Sequence, residues 1–208
     1  AEIASQWSAA YGGTVTDQQV AITQGCNQAF TAITATLAGH GDEVILPTPW
    51  YFNHKMWLDM AGVKAVPLPA GAGLVPQADA AAALITPRTK AIVIVHLWGL
   101  PCKAAELTAL AKAHGLRVIE DASHAHGASQ AGVPCGRLGD VSVFSLQGDK
   151  LVPAGEGGVL LTDDDAVYDR ALRLGDITRI IRMPTADRRF AATSFGIKTR
   201  IAPMSAAL

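Results

Sequence analysis

The sequence predicts an α/β fold, a mostly parallel seven-stranded sheet with helices on both faces. Three observations predict it. Short apolar runs alternate with helical patterns along most of the 208 residues. The run Lys90-Ala-Ile-Val-Ile-Val95 is almost unbroken and β-branched, as a strand buried on both faces requires. An acid, Asp121, and an amine, Lys150, each stand just past the end of an apolar run. In open α/β sheets, ligands bind outside the carboxyl ends of the strands.

In chain order, residues 3–11 read as a helix stopped by Gly12-Gly13. Residues 19–23 read as a strand that turns through Gln24-Gly-Cys-Asn-Gln28 into an Ala-rich helix over about 29–38. Free backbone N–H groups at such a helix start suit a phosphate, although most strand–Gly–helix turns are only turns. Glu43-Val-Ile-Leu46 is a strand, with Pro47-Thr-Pro49 and Trp50-Tyr51-Phe52 at its carboxyl end. An aromatic ring there can lie on a planar ligand, a role that falls best on Tyr51; Trp50 and Phe52 read as core or interface. Helix, strand and helix follow at 56–61, 64–68 and 78–85, punctuated by prolines. After strand 90–95 comes an amphipathic helix over 104–114, with Gly115 as its stop. Arg117-Val-Ile-Glu-Asp121, Val141-Ser-Val-Phe-Ser-Leu146 and Val159-Leu-Leu-Thr162 are the last strands. Asp163-Asp-Asp165 can cap the helix at about 166–174. From Thr178 the chain is basic and irregular, ending in what reads as the start of a helix.

Composition narrows the function classes. Hydrophobic residues make up 50% and charged residues 17%, which fits a packed core rather than disorder. The net charge of −1 gives no reason to expect nucleic acid or an anionic membrane as partner. Neither a transmembrane helix nor a signal peptide is expected from the apolar runs or from Ala1-Glu-Ile-Ala. Cys26, Cys102 and Cys135 are odd in number and widely spaced, so reduced thiols in a cytoplasm are expected. No Gly-x-Gly-x-x-Gly follows a strand, and no phosphate-loop Gly-Lys-Ser/Thr is present.

The remaining constellation fits pyridoxal 5′-phosphate. That group needs an amine for its aldehyde, an acid for its ring nitrogen, a phosphate cradle and a stacking partner. Lys150 can supply the amine and shuttle a proton. Asp121 can keep the pyridine nitrogen protonated. Gly25, Cys26 and Asn27, with Ser145, can hold phosphate, while Tyr51 or His124 covers the ring faces. Each has a plainer reading: Lys150 as a solvated surface charge, Asp121 as a helix cap, Gly155-Glu-Gly-Gly158 as a turn. His124 and His126 form an H-x-H pair, but no further ligand stands at a metal-binding spacing, so no metal is expected.

Glu120-Asp-Ala-Ser-His-Ala-His-Gly127, Gly139-Asp140, Phe144-Ser145 with Lys150, and Gly155-Glu-Gly-Gly158 resemble the DegT family of pyridoxal-phosphate sugar and cyclitol aminotransferases. Val95-His-Leu-Trp-Gly-Leu-Pro101 is similar to the family's preceding strand end, and Phe144-Ser-Leu-Gln147 is similar to members that aminate scyllo-inosose. That likeness covers about 90–208. Residues 1–90 resemble class I/II, aspartate-type aminotransferases through Thr23-Gln-Gly-Cys-Asn-Gln-Ala29 and Asp42–His54, so a natural mosaic or a constructed chimera, with a change of family near Lys90 to His96, is expected. The Asn-Pro motif of class I enzymes is absent after the strand ending at His96-Leu-Trp.

Both families share fold type I. The resemblance implies a cofactor-binding large domain over 1–175, then a connecting segment and the start of a truncated C-terminal domain over 176–208, with the small domain largely missing. It implies Lys150 and Asp121 as catalytic residues. Gly25, Cys26, Asn27, Tyr51, His124 and Ser145 join them in cofactor binding. It further implies a small-molecule amino donor (glutamine or glutamate), a keto-sugar or keto-cyclitol acceptor, and a homodimer. The alternatives are a sugar dehydratase, in which some relatives carry histidine where Lys150 stands, and a non-catalytic truncated scaffold.

Overall fold

The computed structural model describes residues 1–175. Helix α1 (Glu2–Tyr11) stops at Gly12, whose φ of 65° is the left-handed conformation glycine takes without strain. A short 3-10 turn, Asp17–Gln19, leads to β1 (Ala21–Thr23) and α2 (Cys26–Leu37). Then follow β2 (Glu43–Thr48), α3 (Phe52–Met60), β3 (Lys64–Pro69), α4 (Ala78–Ala82), β4 (Thr89–Val95), α5 (Ala104–Ala113) and β5 (Arg117–Asp121). A small hairpin of β6 (Ser129–Gln130) and β7 (Val133–Pro134) precedes β8 (Val141–Ser145), β9 (Gly158–Thr162) and α6 (Asp165–Gly175).

The main sheet has seven strands in the order β1-β9-β8-β5-β4-β2-β3. β8, β5, β4, β2 and β3 run parallel, and β9 is antiparallel to both β8 and β1. These are the seven strands expected from the apolar runs. The β6–β7 hairpin was not foreseen, because two-residue strands leave no periodicity to read.

Alternation along the central strands divides the core. Val44, Leu46, Ala91, Val93 and Ile119 pack on one face with Phe30 and Ile33 of α2, Leu58 of α3 and Val167 of α6. Ile45, Ile92, Ile94 and Val118 pack on the other with Ala81 of α4 and Leu107 of α5. Side chains of successive strand residues point to opposite faces, so a strand covered on both sides must be apolar throughout. Helix starts and stops follow local chemistry. Asp164 Oδ1 accepts the backbone N–H groups of Ala166 and Val167 at the start of α6, and Gly115 takes a φ of 66° just past α5. Of the three acids expected to cap α6, the middle one does so.

Register fixes the site. Val95 pairs Asp121, Asp121 pairs Val143, Ser145 pairs Gly158, and Gly158 pairs Thr23. The segments that leave or enter these residues therefore meet along one edge of the sheet. The basic stretch after Thr178 and the boundary at 175/176 lie outside the described residues.

Candidate active site

A cavity of about 270 Å³ opens at that edge. It is lined by Gly25, Cys26 and Asn27 of the β1–α2 turn, Tyr51 before α3, Asp121 at the end of β5 with His124 after it, and Ser145 at the end of β8 with Lys150 after it. All eight residues proposed from the sequence thus line one space, although they come from four separate connections.

Asp121 is buried and forms one wall. Its Oδ2 accepts from His54 Nε2 at 3.0 Å, and its Oδ1 accepts the backbone N–H of Ser123 at 3.0 Å. Burial pushes its pKa up, but the hydrogen bond and charge of His54 and the two bonds from Ser123 outweigh this and hold it down to about 2. Lys150 Nζ lies 2.7 Å from His124 Nε2. An ammonium has only donors, so His124 Nε2 accepts and its hydrogen sits on Nδ1. Burial lowers the pKa of His124, and the Lys150 charge lowers it further. Its Nδ1 is buried and has no partner among the described residues.

The β1–α2 turn is made by close packing. A Cβ on Gly158 would stand 2.5 Å from Gly25 C and 2.6 Å from Cys26 N, so only glycine lets β9 approach there. Gly25 precedes the first turn of α2, and the N–H groups of Cys26 and Asn27 sit in that turn, where a helix leaves them without intrahelical acceptors. Cys26 Sγ contacts Ser123 Oγ at 3.0 Å, and burial pushes its thiol pKa far up, so it is a neutral wall rather than a nucleophile. Ser145 is buried; its Oγ accepts the N–H of Gln147 at 3.3 Å.

Sequence reasoning missed seven lining residues: His54, Val95, His96, Leu97, Ser123, Gln147 and Glu156. A signal existed for His54. It stands three residues after Tyr51 at a helix start, a spacing that stacks side chains on one face. The rings contact edge-on with centroids 5.3 Å apart. Of the neighbouring aromatics, Phe52 is 67% exposed, and Trp50 is half-buried under Lys55.

The residues present fit pyridoxal phosphate. Amine, acid, a helix start for an anion and an aromatic ring face one cavity, and His124 Nδ1 is a buried donor left without an acceptor among the described residues. A second polar cluster, which touches the same cavity at His96, is taken up in bonds within the protein. His96, Glu120 and Cys135 bring ligand-type atoms within 4.8 Å of one another. Glu120, however, accepts from His96 and from the backbone N–H groups of Gly136, Leu138 and Gly139, while His96 Nδ1 accepts from Cys102 N. Those bonds tie β5 to the 136–139 loop.

The chain is 42% identical to L-glutamine:scyllo-inosose aminotransferase of Streptomyces griseus over 169 residues, covering 78% of this chain and 39% of that protein. It is 38% identical to GDP-perosamine synthase of Caulobacter vibrioides over 191 residues, covering 88% of this chain and 49% of that protein. The crystal structure of the aminotransferase TlmJ from Streptoalloteichus hindustanus matches with a TM-score of 0.81 at 27% identity, over 99% of this chain and 55% of that one. The chain therefore spans half or less of the length of these curated relatives. The family match runs without a break over residues 7–208, across the place where a change of family was expected near 90–96. The comparisons give no support to a class I/II origin for residues 1–90 or to a mosaic. With one family covering nearly all its length, and that family's motifs lining one cavity, the chain belongs to the DegT/DnrJ/EryC1/StrS aminotransferase family.

Proposed function

We propose that residues 1–175 are the cofactor-binding large domain of a pyridoxal-phosphate aminotransferase and that 176–208 begin its connection to a further domain. The enzyme moves an amino group from glutamine or glutamate to a keto-sugar or keto-cyclitol. The observation that carries this reading is the single cavity lined by Lys150, Asp121, the Gly25–Asn27 turn, Ser145, Tyr51 and His124. When bound, pyridoxal phosphate supplies an aldehyde that takes up amines and a ring that draws electrons from the carbon losing its proton.

The protein's part is to bind, orient and move protons. Lys150 Nζ is the amine that would hold the group's aldehyde carbon and would take or return the proton at the substrate's amino-bearing carbon. His124 Nε2 faces that amine as an acceptor. Asp121, ionised by its surroundings, holds a proton on the ring nitrogen. The first-turn N–H groups of α2 and the Ser145 hydroxyl hold phosphate. Tyr51, 47% exposed, offers a ring face at the cavity.

The names of the relatives support the substrate class, since they act on inosose and perosamine chemistry. Lysine at position 150 favours amino transfer over dehydration. A homodimer is part of the proposal, supported by exposed Tyr51, Leu97, Trp98, Leu100, Leu151 and Val152 in the loops at the site edge. A cytoplasmic location accords with three free cysteines. No described helix is long and apolar enough to cross a membrane.

The test is an absorbance spectrum with added pyridoxal phosphate, then borohydride reduction and peptide mapping. A visible band with the label on Lys150, both lost in Lys150→Ala, is expected. A label scattered over surface lysines, or a band that survives Lys150→Ala, would overturn the reading and leave a non-catalytic scaffold. Turnover with glutamine and a keto-cyclitol then separates enzyme from cofactor-binding scaffold.

A further inference from the structure

His54 is buried, with 2% of its surface exposed, and none of the roles above uses it. Its ring is clamped from two sides. Phe30 of α2 stacks on it at 4.2 Å and 24°, and Tyr51 meets it edge-on at 5.3 Å and 85°. One nitrogen is engaged, Nε2 with Asp121 Oδ2 at 3.0 Å; Nδ1 is buried without a partner among the described residues. A histidine that served packing alone would be poorly chosen here. Phenylalanine would fill the same stack without stranding a polar atom. The group this histidine serves is the Asp121 carboxylate.

We propose that His54 is a positioning residue of this site: its Nε2–H orients the Asp121 carboxylate and keeps it anionic, so that the acid meets the ring nitrogen of the cofactor charged. The proposal rests on the function proposed above. The carboxylate only accepts, so the hydrogen of this bond belongs to His54. One bond from His54 and two from Ser123 fill three of the carboxylate's four lone-pair sites, which leaves one for a ligand. The titratable groups facing Asp121 are His54 from α3, Cys26 from α2 and His124 from the loop after β5; Lys150 stands behind His124. His54 is the one whose hydrogen bond and charge hold the pKa of Asp121 down most strongly. It also links three parts of the site: the acid, the stacking ring of Tyr51, and α2, whose start faces the phosphate.

The test compares His54→Phe, which keeps the stack and removes the donor, with His54→Gln, which returns an N–H. In cofactor-free protein, the Asp121 carboxyl carbon is titrated by NMR. Wild type should stay ionised down to about pH 2. His54→Phe should titrate at least about one unit higher, and His54→Gln should recover most of the difference. In protein loaded with pyridoxal phosphate, His54→Phe should shift the pH midpoint of the visible band and weaken loading about tenfold, the equivalent of one pH unit. An Asp121 titration unchanged in His54→Phe overturns the proposal even if Lys150 is labelled normally. A wild type that takes up no pyridoxal phosphate sinks the functional reading and leaves the NMR result to decide the coupling. Should His54→Phe fail to fold, nitrogen-15 shifts of wild-type His54 decide it: hydrogen on Nε2 supports the role, and hydrogen on Nδ1 alone refutes it.

Discussion

At the scale of single residues, the site depends on side chains that lose freedom to their neighbours. Lys150 is half-buried and bonded to His124, so it is not the solvated charge that a lysine after a strand usually is. His126, the other half of the H-x-H pair, is buried beside Phe144 with ring centroids 5.0 Å apart. Burial and the Lys150 charge push its pKa down to about 4, so it stays neutral near pH 7. Gly158 makes the sharpest prediction. A Cβ there would collide with backbone, which cannot swing aside as a flexible side chain can. Gly158→Ala should cost about 1–3 kcal/mol of stability, as overpacking does. It should also weaken pyridoxal phosphate loading, because the displaced atoms belong to the cradle. A thermal melt and a cofactor titration check it; unchanged values in both would show that the turn has slack.

At the scale of elements, α2 and β2 are held in place by different physics. α2 lies on the sheet through Ala29, Phe30 and Ile33, all fully buried, so the start of α2 is aimed by packing. β2 is anchored at its first residue by charge. Buried Glu43 accepts from Thr86 Oγ1 at 2.5 Å, Arg88 at 3.0 Å and Lys64 at 3.1 Å. The Thr86 bond leads in holding its pKa down to about 2 against burial, with Arg88 and Lys64 adding to it. A carboxylate with a lowered folded pKa stabilises the fold fully above its unfolded value of about 4.5, and that contribution fades as pH falls toward 2. The effect is moderated by the exposure of Lys64 and Arg88. Urea midpoints near neutral pH and at about pH 3 should therefore differ by less in Glu43→Gln than in wild type. An equal pH dependence would place the acid sensitivity elsewhere.

At the scale of the whole molecule, several large apolar side chains on loops are left exposed. Trp98 is 81% exposed, Leu100 73% and Leu151 77%. Trp98 and Gly99 both take positive φ, 49° and 80°, at the tip of a turn closed by Leu100 N donating to Leu97 O at 2.8 Å. A tryptophan held open in that conformation, beside lining residues His96 and Leu97, fits a contact made on assembly. In the proposed homodimer, Trp98→Asp with Leu151→Asp should shift sedimentation from dimer to monomer and leave the far-ultraviolet circular dichroism intact. A wild type that sediments as a monomer would count against the dimer.

Much of this was legible along the chain. Strand positions and the two-faced helix cover follow from local patterns, and the eight lining residues from strand ends, the glycines at 25 and 158 and the resemblance to the family's motifs. Those signals are local because strand burial and turn geometry are written in neighbouring residues. What tertiary structure alone decided is long-range. Nothing near Asp121 in sequence names His54, 67 positions earlier, as its partner; parallel strand order and the fall of α3 onto the sheet bring them to 3.0 Å. The same holds for Glu43 with Thr86 and Arg88, and for Gly158 against Gly25. The sequence determined which chemical groups are at hand for the cavity. The packing of strands far apart in the chain decided which charges are paired, and so which of those groups stays ionised.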